Sequence, residues 1–254
     1  MIINDKNDIE YLKNINIPIS SLIINYKIND FKLFQNIQCE IDTLDIYDNT
    51  LKSFKYFNLK VKNIICKNNQ INSFKYLNKD LNELNIENNQ IESFKDLNIN
   101  IEILNCSHNQ IESFKDLNVK IKILNCHNNR IKYFEGLKYD IIMLNCSFNQ
   151  IESFKGLNVK INCLDCSYNQ IKSFKGIKYI LSALNCNHNQ INSFKYLNND
   201  LDELIIDNNN IKSFEDLDVN ISILNCNYNQ ITSFKNLNKK IDILQCNNNQ
   251  INFF

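Results

Sequence analysis

Glycine, proline and tryptophan are scarce in this sequence, which has 3 Gly, 1 Pro and no Trp in 254 residues. Glycine and proline shape most turns, so another residue type must shape the turns of this chain. Neither sign of charge is in excess, because Lys and Arg together number 28 and Asp and Glu also number 28. This balance argues against a nucleic acid or an anionic membrane as the main partner.

Long apolar runs are also missing. No stretch approaches the ~18 consecutive apolar residues that a membrane-spanning helix needs, and charged residues interrupt every hydrophobic run between Met1 and Ser20. The 10 cysteines are spread through a chain that is too long to depend on disulfides, and no signal peptide precedes them. We therefore expect a cytoplasmic protein with reduced thiols and no membrane segment.

The sequence does have a repeat of 20 residues, which runs from Ile41 onward without insertion or deletion. We number the positions of each repeat as steps 1 to 20, with Ile41 at step 1. The repeat 101–120 reads IEILNCSHNQIESFKDLNVK, with apolar side chains at steps 1, 4, 6, 11, 14 and 17. Step 9 is asparagine in every repeat: Asn49, Asn69, Asn89, Asn109, Asn129, Asn149, Asn169, Asn189, Asn209, Asn229 and Asn249.

This period divides the chain into ten full repeats over 41–240 and a partial eleventh, so that the repeats together cover 41–254. Residues 21–40 form a degenerate first repeat, in which Asn29 is expected at step 9. Residues 1–20 match no repeat and are predicted to be the N-terminal cap that covers the first open core of a solenoid. Within the cap, Asp5 or Asp8 is expected to start a short helix.

The segments LNCSHNQI, LNCNHNQI and LNCNYNQI resemble the leucine-rich repeat motif L-x-L-x-x-N-x-L. The repeat length is similar to that of bacterial effector proteins, and the bias toward Asn, Ile and Lys resembles giant-virus (mimivirus-type) members of the family. The resemblance implies an α/β-class leucine-rich repeat solenoid, a horseshoe with a parallel β-sheet on its concave face. It also implies a protein partner, which would be a host protein in the host cytoplasm for a viral or effector protein.

The residues themselves predict the same architecture. Alternation over steps 3 to 7 predicts one short strand per repeat, and identical repeats stack such strands into a parallel sheet. The nine or ten residues that return along the convex side are too few for a helix with two loops, so we expect extended or 3₁₀ backs and little helix. Asparagine at step 9 should pair with backbone groups of its own and the next repeat, and phenylalanine at step 14 should form a buried aromatic spine.

Cysteine at step 6 points inward and alternates with isoleucine at Ile46, Ile86 and Ile206, so we interpret it as a small hydrophobic core residue. The pair Cys163 and Cys166 mimics a C-x-x-C motif, but a separation of three residues places the two thiols on opposite faces of a strand. We expect no cofactor. The set Glu87, His108 and His127 lacks a fourth ligand, so we expect no metal site either.

Catalysis and nucleic-acid binding are both disfavoured. Ser107, His127 and Ser147 share step 7, but no acid is within reach of His127 to complete a triad, so we expect no enzyme activity. On the concave steps the only cations are Lys67 and Arg130, whereas Asp45, Glu83, Glu87, Asp165, Glu203 and Asp207 are acidic. A nucleic acid would require the opposite balance.

The concave positions that vary between repeats carry exposed aliphatic and aromatic residues at steps 3, 7 and 8. Such residues on a rigid sheet with polar surroundings are typical of a protein-binding surface. Compositional drift toward Ile and Asn is the alternative explanation, and asparagine at step 5 could equally form an amide ladder. The predicted partner-binding residues are Ile103, Ile123, Met143, His108, His127, Phe148, Tyr168, His188 and Tyr228.

We therefore predict a non-catalytic protein-protein interaction scaffold that binds its partner on the concave face. The alternative is a structural or self-assembling protein. In the last repeat Leu244, Cys246 and Ile251 would face an open end beside an unpaired strand edge, through which two copies could form a homodimer.

Overall fold

The structure, a computed structural model, describes residues 1–57, 59–77, 80–179, 181–197, 200–237 and 240–252. The chain divides into two compact units. Unit 1 comprises Met1–Ile111 and Asp116–Cys126, and unit 2 comprises Glu112–Lys115 and His127–Phe254. Both are built from stacked 20-residue repeats with a parallel sheet on one side and irregular backs on the other, the architecture of a leucine-rich repeat solenoid.

Unit 1 holds the first seven strands, the only α-helix among the described residues and a short 3₁₀ helix, Phe31–Phe34. Each strand pairs in parallel with the next one along the chain. Its elements are β1 (Ile2–Ile3), α1 (Lys6–Leu12), β2 (Ile19–Ile24), β3 (Glu40–Asp45), β4 (Lys60–Ile65), β5 (Leu81–Asn85), β6 (Ile101–Asn105) and β7 (Ile123–Asn125).

Unit 2 continues with the same pattern of parallel neighbours, offset by one repeat per strand. For example, Leu204 of one strand is in register with Leu184 and Leu224 of its neighbours. Its strands are β8 (Ile141–Asn145), β9 (Ile161–Asp165), β10 (Ala183–Asn185), β11 (Leu201–Ile205), β12 (Ile221–Asn225) and β13 (Ile241–Gln245).

The strands lie earlier in the repeat than the alternation predicts. Most span steps 1 to 5, as in Ile101–Asn105, rather than steps 3 to 7. The ladder of backbone hydrogen bonds does extend to step 6, where the Cys106 N–H donates to the Asn125 carbonyl at 2.8 Å. The chain then turns because step 8 adopts a left-handed conformation, for example at Asn88 with φ 54°.

The N-terminal segment confirms one prediction and corrects another. Helix α1 starts where expected, since the Asp5 side chain caps it by accepting from the N–H groups of Asn7 and Asp8. The placement of Asn29 at step 9 is wrong. Strand β2 begins at Ile19, and Ile19 is in register with Ile41, 22 residues further on rather than 20. Asn29 is therefore not equivalent to the step 9 asparagines, and its side chain is exposed.

The asparagine at step 9 replaces glycine and proline in the turns. In unit 1, Asn89 Oδ1 accepts from the Ile71 N–H at 2.9 Å, and Asn89 Nδ2 donates to the Cys66 and Ile86 carbonyls at 2.9 and 3.0 Å. The amide therefore joins its own repeat to the preceding one, not to the next one as predicted. The reason is geometrical: the buried amide lies against the step 6 carbonyl and step 11 N–H of the repeat before it.

The predicted aromatic spine is confirmed. The step 14 rings are fully buried from Phe54 to Phe214, and Phe234 is half-buried. Neighbouring rings stack with centroids 6.1 Å apart between Phe74 and Phe94 in unit 1, and 5.9 to 6.5 Å apart in unit 2. Strand pairing holds the repeats about 4.8 Å apart on the other side. Within each unit, the sheet is therefore on the inner, concave side.

The step 6 cysteines are core residues, as predicted. All except Cys246 are buried, and every cysteine is a free thiol. Burial raises the pKa of the Cys66, Cys106 and Cys186 thiols above the usual range. Such thiols are poor nucleophiles and stay protonated at neutral pH.

The last repeat is less well covered than the others. Leu244, Cys246 and Ile251 are half-buried, whereas Leu224, Cys226 and Ile231 of the preceding repeat are fully buried. Association of two copies through this edge stays a prediction.

Candidate partner-binding face

Step 8 has a left-handed backbone in every repeat, with φ between 49° and 54°. Asparagine and aspartate tolerate this conformation, because their short polar side chains pair with the local backbone. Six of the repeats have one of these two residues there. The other five carry a ring: His108, Phe148, Tyr168, His188 and Tyr228.

Four rings of unit 2 form a continuous cluster, which we call the aromatic row: His127, Phe148, Tyr168 and His188. Phe148 stacks on Tyr168 with centroids 4.0 Å apart, and Tyr168 stacks on His188 at 4.1 Å. His127 contacts Phe148 edge-on, with centroids 5.2 Å apart and planes at 84°. The sequence brings these residues together because they occupy the same or adjacent steps of successive repeats.

The aromatic row is accessible to a partner. Phe148 is 46% exposed and Tyr168 is 41% exposed, and His188 is exposed as well. Tyr228 is 58% exposed but lies two repeats further on, between Asn208 and Asn248 at the same step. Among the described residues it contacts no other ring, so the structure does not join it to the row.

His127 lies against a serine hydroxyl. Its Nδ1 lies 3.1 Å from Ser147 Oγ, and Ser147 Oγ is 2.7 Å from Asn145 Oδ1. A carbonyl oxygen only accepts, so the serine proton is directed to Asn145 and His127 donates to the hydroxyl. A general base must accept that proton instead, and Ser147 is also buried. This pair orients the His127 ring against Phe148.

Step 5 side chains close the strand ends by accepting from the backbone two residues further on. Asn105 Oδ1 accepts from the Ser107 N–H at 3.1 Å, and Asn145 Oδ1 accepts from the Ser147 N–H at 3.0 Å. Asp165 accepts from the Ser167 N–H in the same way at 2.9 Å. These contacts between residues two apart stabilise the turn that leads into step 8.

Apolar residues at steps 2 and 3 add to the exposed face. In unit 2, Met143 and Ile142 are exposed, and Met143 is in register with Cys163. The sequence prediction covered steps 3, 7 and 8 and so missed Ile142, which is at step 2. The available signal was that polar residues occupy step 2 in most other repeats.

In unit 1, Ile103 is exposed and is in register with the half-buried Ile123. His108 is also exposed in unit 1.

Three lysines on the sheet of unit 1 are paired with acids of neighbouring repeats. Lys62 Nζ lies 2.7 Å from Asp42 Oδ1, and Lys122 Nζ lies 2.7 Å from Glu102 Oε1. Lys67 Nζ lies 3.0 Å from Glu87 Oε2. Each lysine neutralises an acid of an adjacent repeat.

Asp45 and Glu83 of unit 1 make no such pair among the described residues. Burial raises the pKa of the Asp45 carboxyl, although the Tyr47 backbone and the Lys67 charge oppose the rise. The Asp45 Oδ1 atom is buried and has no hydrogen-bond partner among the described residues.

The described residues contain no group of three or more His, Cys, Asp or Glu side chains placed to hold a metal ion. In the same part of the chain, no helix has the length and apolar character needed to cross a bilayer.

Comparisons with known proteins identify the fold. No family model and no curated protein matches the sequence. Among solved structures, the chain is similar to the leucine-rich repeat domain of APL1B, with a TM-score of 0.61 and 17% identity over 95% of this chain and 83% of that one. It is also similar to a chain of the LRIM1/APL1C complex, with a TM-score of 0.59 and 16% identity over 85% of this chain.

A further similar structure is an octameric complex of Latrophilin 3, Unc5D and the leucine-rich repeat protein FLRT2. Its TM-score is 0.51, with 20% identity over 76% of this chain and 77% of that one. The chain spans about half, 49%, of the LRIM1/APL1C chain that it matches. At these identities the likeness shows the fold, and the fold is that of leucine-rich repeat proteins.

Proposed function

We propose that the chain is a non-catalytic protein-binding scaffold and that its partner binds the concave face of unit 2 at the aromatic row. The observation that carries this proposal is the stack of exposed rings on the sheet side, in which Phe148, Tyr168 and His188 all lie at left-handed positions. Phe148, Tyr168 and Tyr228 have φ values of 51°, 52° and 53°. Bulky side chains are rare in this region, and strain of this kind clusters at functional sites.

The backbone strain argues against compositional drift. Drift in an asparagine-rich chain would place asparagine at step 8, where it is also the residue best suited to the conformation. A residue without such a side chain loses about 1 kcal/mol or more at a left-handed position. Stacking offsets part of this cost for Phe148 and Tyr168. Tyr228 has no ring contact among the described residues to offset it, so stability alone does not account for its position.

The residue types also fit protein recognition. Aromatic rings contribute large contact areas with few rotatable bonds, and they dominate the binding energy of many interfaces. The solved structures with the same fold include protein complexes, such as LRIM1/APL1C and the FLRT2 assembly. These complexes support a protein partner. A cytoplasmic location is part of the proposal and rests on the ten free thiols.

The test is a pull-down with wild type beside the double variant Phe148→Asn, Tyr168→Asn. Asparagine occupies step 8 in five other repeats, so the variant should fold. The matched control is Tyr76→Asn, Tyr196→Asn, which removes two exposed, left-handed tyrosines from step 16 on the convex side, where Asn236 occurs naturally. The proposal predicts a partner that is retained by wild type and the control but lost by the aromatic-row variant. Equal recovery with all three proteins would contradict it.

A further inference from the structure

The strands of unit 2 and the turns that follow them contain no lysine or arginine. In steps 1 to 8 of these six repeats, 141–148, 161–168, 181–188, 201–208, 221–228 and 241–248, the charged residues are all acidic. These acids are Asp165, Asp202, Glu203, Asp207 and Asp242. The sheet face around the aromatic row is therefore negatively charged, in a chain whose overall charge is balanced.

Of these five acids, only Asp242 makes an ion pair within the described residues, and its partner is Lys240. Asp165, Glu203 and Asp207 are three of the acids without an ion pair in that part of the chain. Asp207 lacks the lysine that Glu87, at the same step in unit 1, has in Lys67. Backbone N–H groups hold two of the three carboxylates in place: Asp207 Oδ1 accepts from Asn227 at 2.7 Å, and Asp165 Oδ1 accepts from Ser167 at 2.9 Å. Their positions are therefore preorganised for an external cation.

The acids lie next to the end of the aromatic row. The His188 N–H donates to the Asp207 carbonyl at 2.9 Å, which places Asp207 in the adjacent repeat. Tyr168 covers one face of the His188 ring, and the opposite face is directed toward the repeat of Asp207. On the same repeat, Glu203 is in register with Ala183 and Ile223, at step 3 of the sheet.

We propose that the occupant of this face is a protein segment that carries an arginine or lysine beside an apolar anchor. This inference rests on the proposed function and specifies its partner. The anchor packs against Phe148 and Tyr168, and the basic group continues the stack past His188 to the carboxylates of Asp207 and Glu203. A planar guanidinium suits this position best, because it stacks on rings and pairs with carboxylates at the same time. The unpaired carboxylates also repel acidic segments and so disfavour acidic partners.

The first experiment selects random short peptides displayed on phage against the immobilised full chain. The inference predicts that the enriched peptides carry more arginine and lysine than the starting library, next to an aliphatic or aromatic residue. Binding of the best peptide should weaken with added salt. Selection on the Phe148→Asn, Tyr168→Asn variant should not enrich the same peptides.

The second experiment uses unit 1 as a guide. Asn187→Lys introduces at step 7, beside Asp207, the lysine that unit 1 has at Lys67 beside Glu87. We expect it to weaken binding of the best basic peptide about tenfold, because the acid then has an internal partner. Asn187→Gln is the matched control and should bind as wild type does. Thermal unfolding of both variants verifies that they fold.

The outcomes separate this inference from the proposed function. Enriched peptides that are neutral or acidic, and that are lost with the aromatic-row variant, would overturn the inference and leave the proposed function standing. Basic peptides that bind wild type and Asn187→Lys equally would also overturn it. Enrichment of no peptide that depends on the aromatic row would count against both proposals.

Discussion

The sheet face of unit 1 carries lysines paired with acids of neighbouring repeats, whereas the sheet face of unit 2 carries stacked rings beside carboxylates without lysines. The interiors of the two units are the same, with phenylalanine at step 14, cysteine or isoleucine at step 6 and asparagine at step 9. Interior positions are constrained by packing against the repeats on both sides. The exposed face is free of that constraint, so packing does not account for the differences between the units there.

The largest expected effect tests the part that the units share. Asn89→Ala in unit 1 and Asn169→Ala in unit 2 each remove an amide with one N–H donor and three carbonyl partners. Each variant should lose about 3 kcal/mol or more of unfolding free energy, because several backbone groups remain buried without partners. Urea denaturation of the two variants gives the values. A clearly smaller loss in one unit would show that the interiors differ after all.

The second prediction concerns the buried thiols and pH. The pKa of an unfolded cysteine is about 8.5. Burial raises it in the folded chain, with a smaller contribution from the Asp165 charge at Cys186. Below pH ~8.5 the stabilisation from each protonated thiol is fully present. Above it, the unfolded chain releases protons that the folded chain keeps, so the unfolding free energy falls by about 1.4 kcal/mol per pH unit for each thiol.

Cys106→Ile and Cys186→Ile should each remove one such contribution, since Ile86 and Ile206 show that isoleucine fits step 6. Urea denaturation with reductant, on both sides of the unfolded thiol pKa, measures the pH dependence. Because the units share their interior, the two variants should reduce it equally. A pH dependence unchanged from wild type would contradict the assignment.

A smaller effect is expected at step 8, where the units differ. Tyr228→Asn should not lower the unfolding free energy and should raise it by up to about 1 kcal/mol, because asparagine tolerates the left-handed backbone better than tyrosine does. The reverse change in unit 1, Asn88→Tyr, should destabilise by at least about 1 kcal/mol, since it also removes the 2.7 Å bond from Asn88 Nδ2 to Asn68 Oδ1. Thermal unfolding measures both. A marked destabilisation by Tyr228→Asn would show that this ring serves the fold.

The smallest effect is expected for the charges of unit 1. Lys67→Met breaks a pair whose two side chains are both about one-third exposed, 36% and 33%. The expected loss of unfolding free energy is no more than about 0.5 kcal/mol, and it should shrink at high salt. Denaturation at two salt concentrations measures it. If the loss of unfolding free energy stays large at high salt, Lys67 contributes to stability and does more than neutralise the acids of the sheet face.

Much of the fold was predictable from the sequence because the repeat contains no insertion or deletion. Step 4 is an example: the period places Leu44, Ile64 and Leu84 in one column, and the structure pairs them in register on neighbouring strands. All three side chains are buried, so isoleucine fills at this step the same place as leucine. The core, the spine and the inward cysteines follow from the same periodicity.

The candidate site was predictable only in part. Identical steps in successive repeats do bring Phe148, Tyr168 and His188 together, and their shared step in the sequence already implied a column. What could not be read from the spacing is the left-handed backbone beneath them, since phenylalanine and tyrosine give no signal of that conformation.

The sequence by itself determined the repeat length, the residues that face the core and the asparagine at step 9, because these depend on a strict period that each repeat obeys alone. Only the tertiary structure decided which neighbouring repeat each asparagine binds, how His127 is held by Ser147, and which acids find a lysine. Such contacts depend on the distances between atoms of adjacent repeats, and those distances are set when the repeats stack.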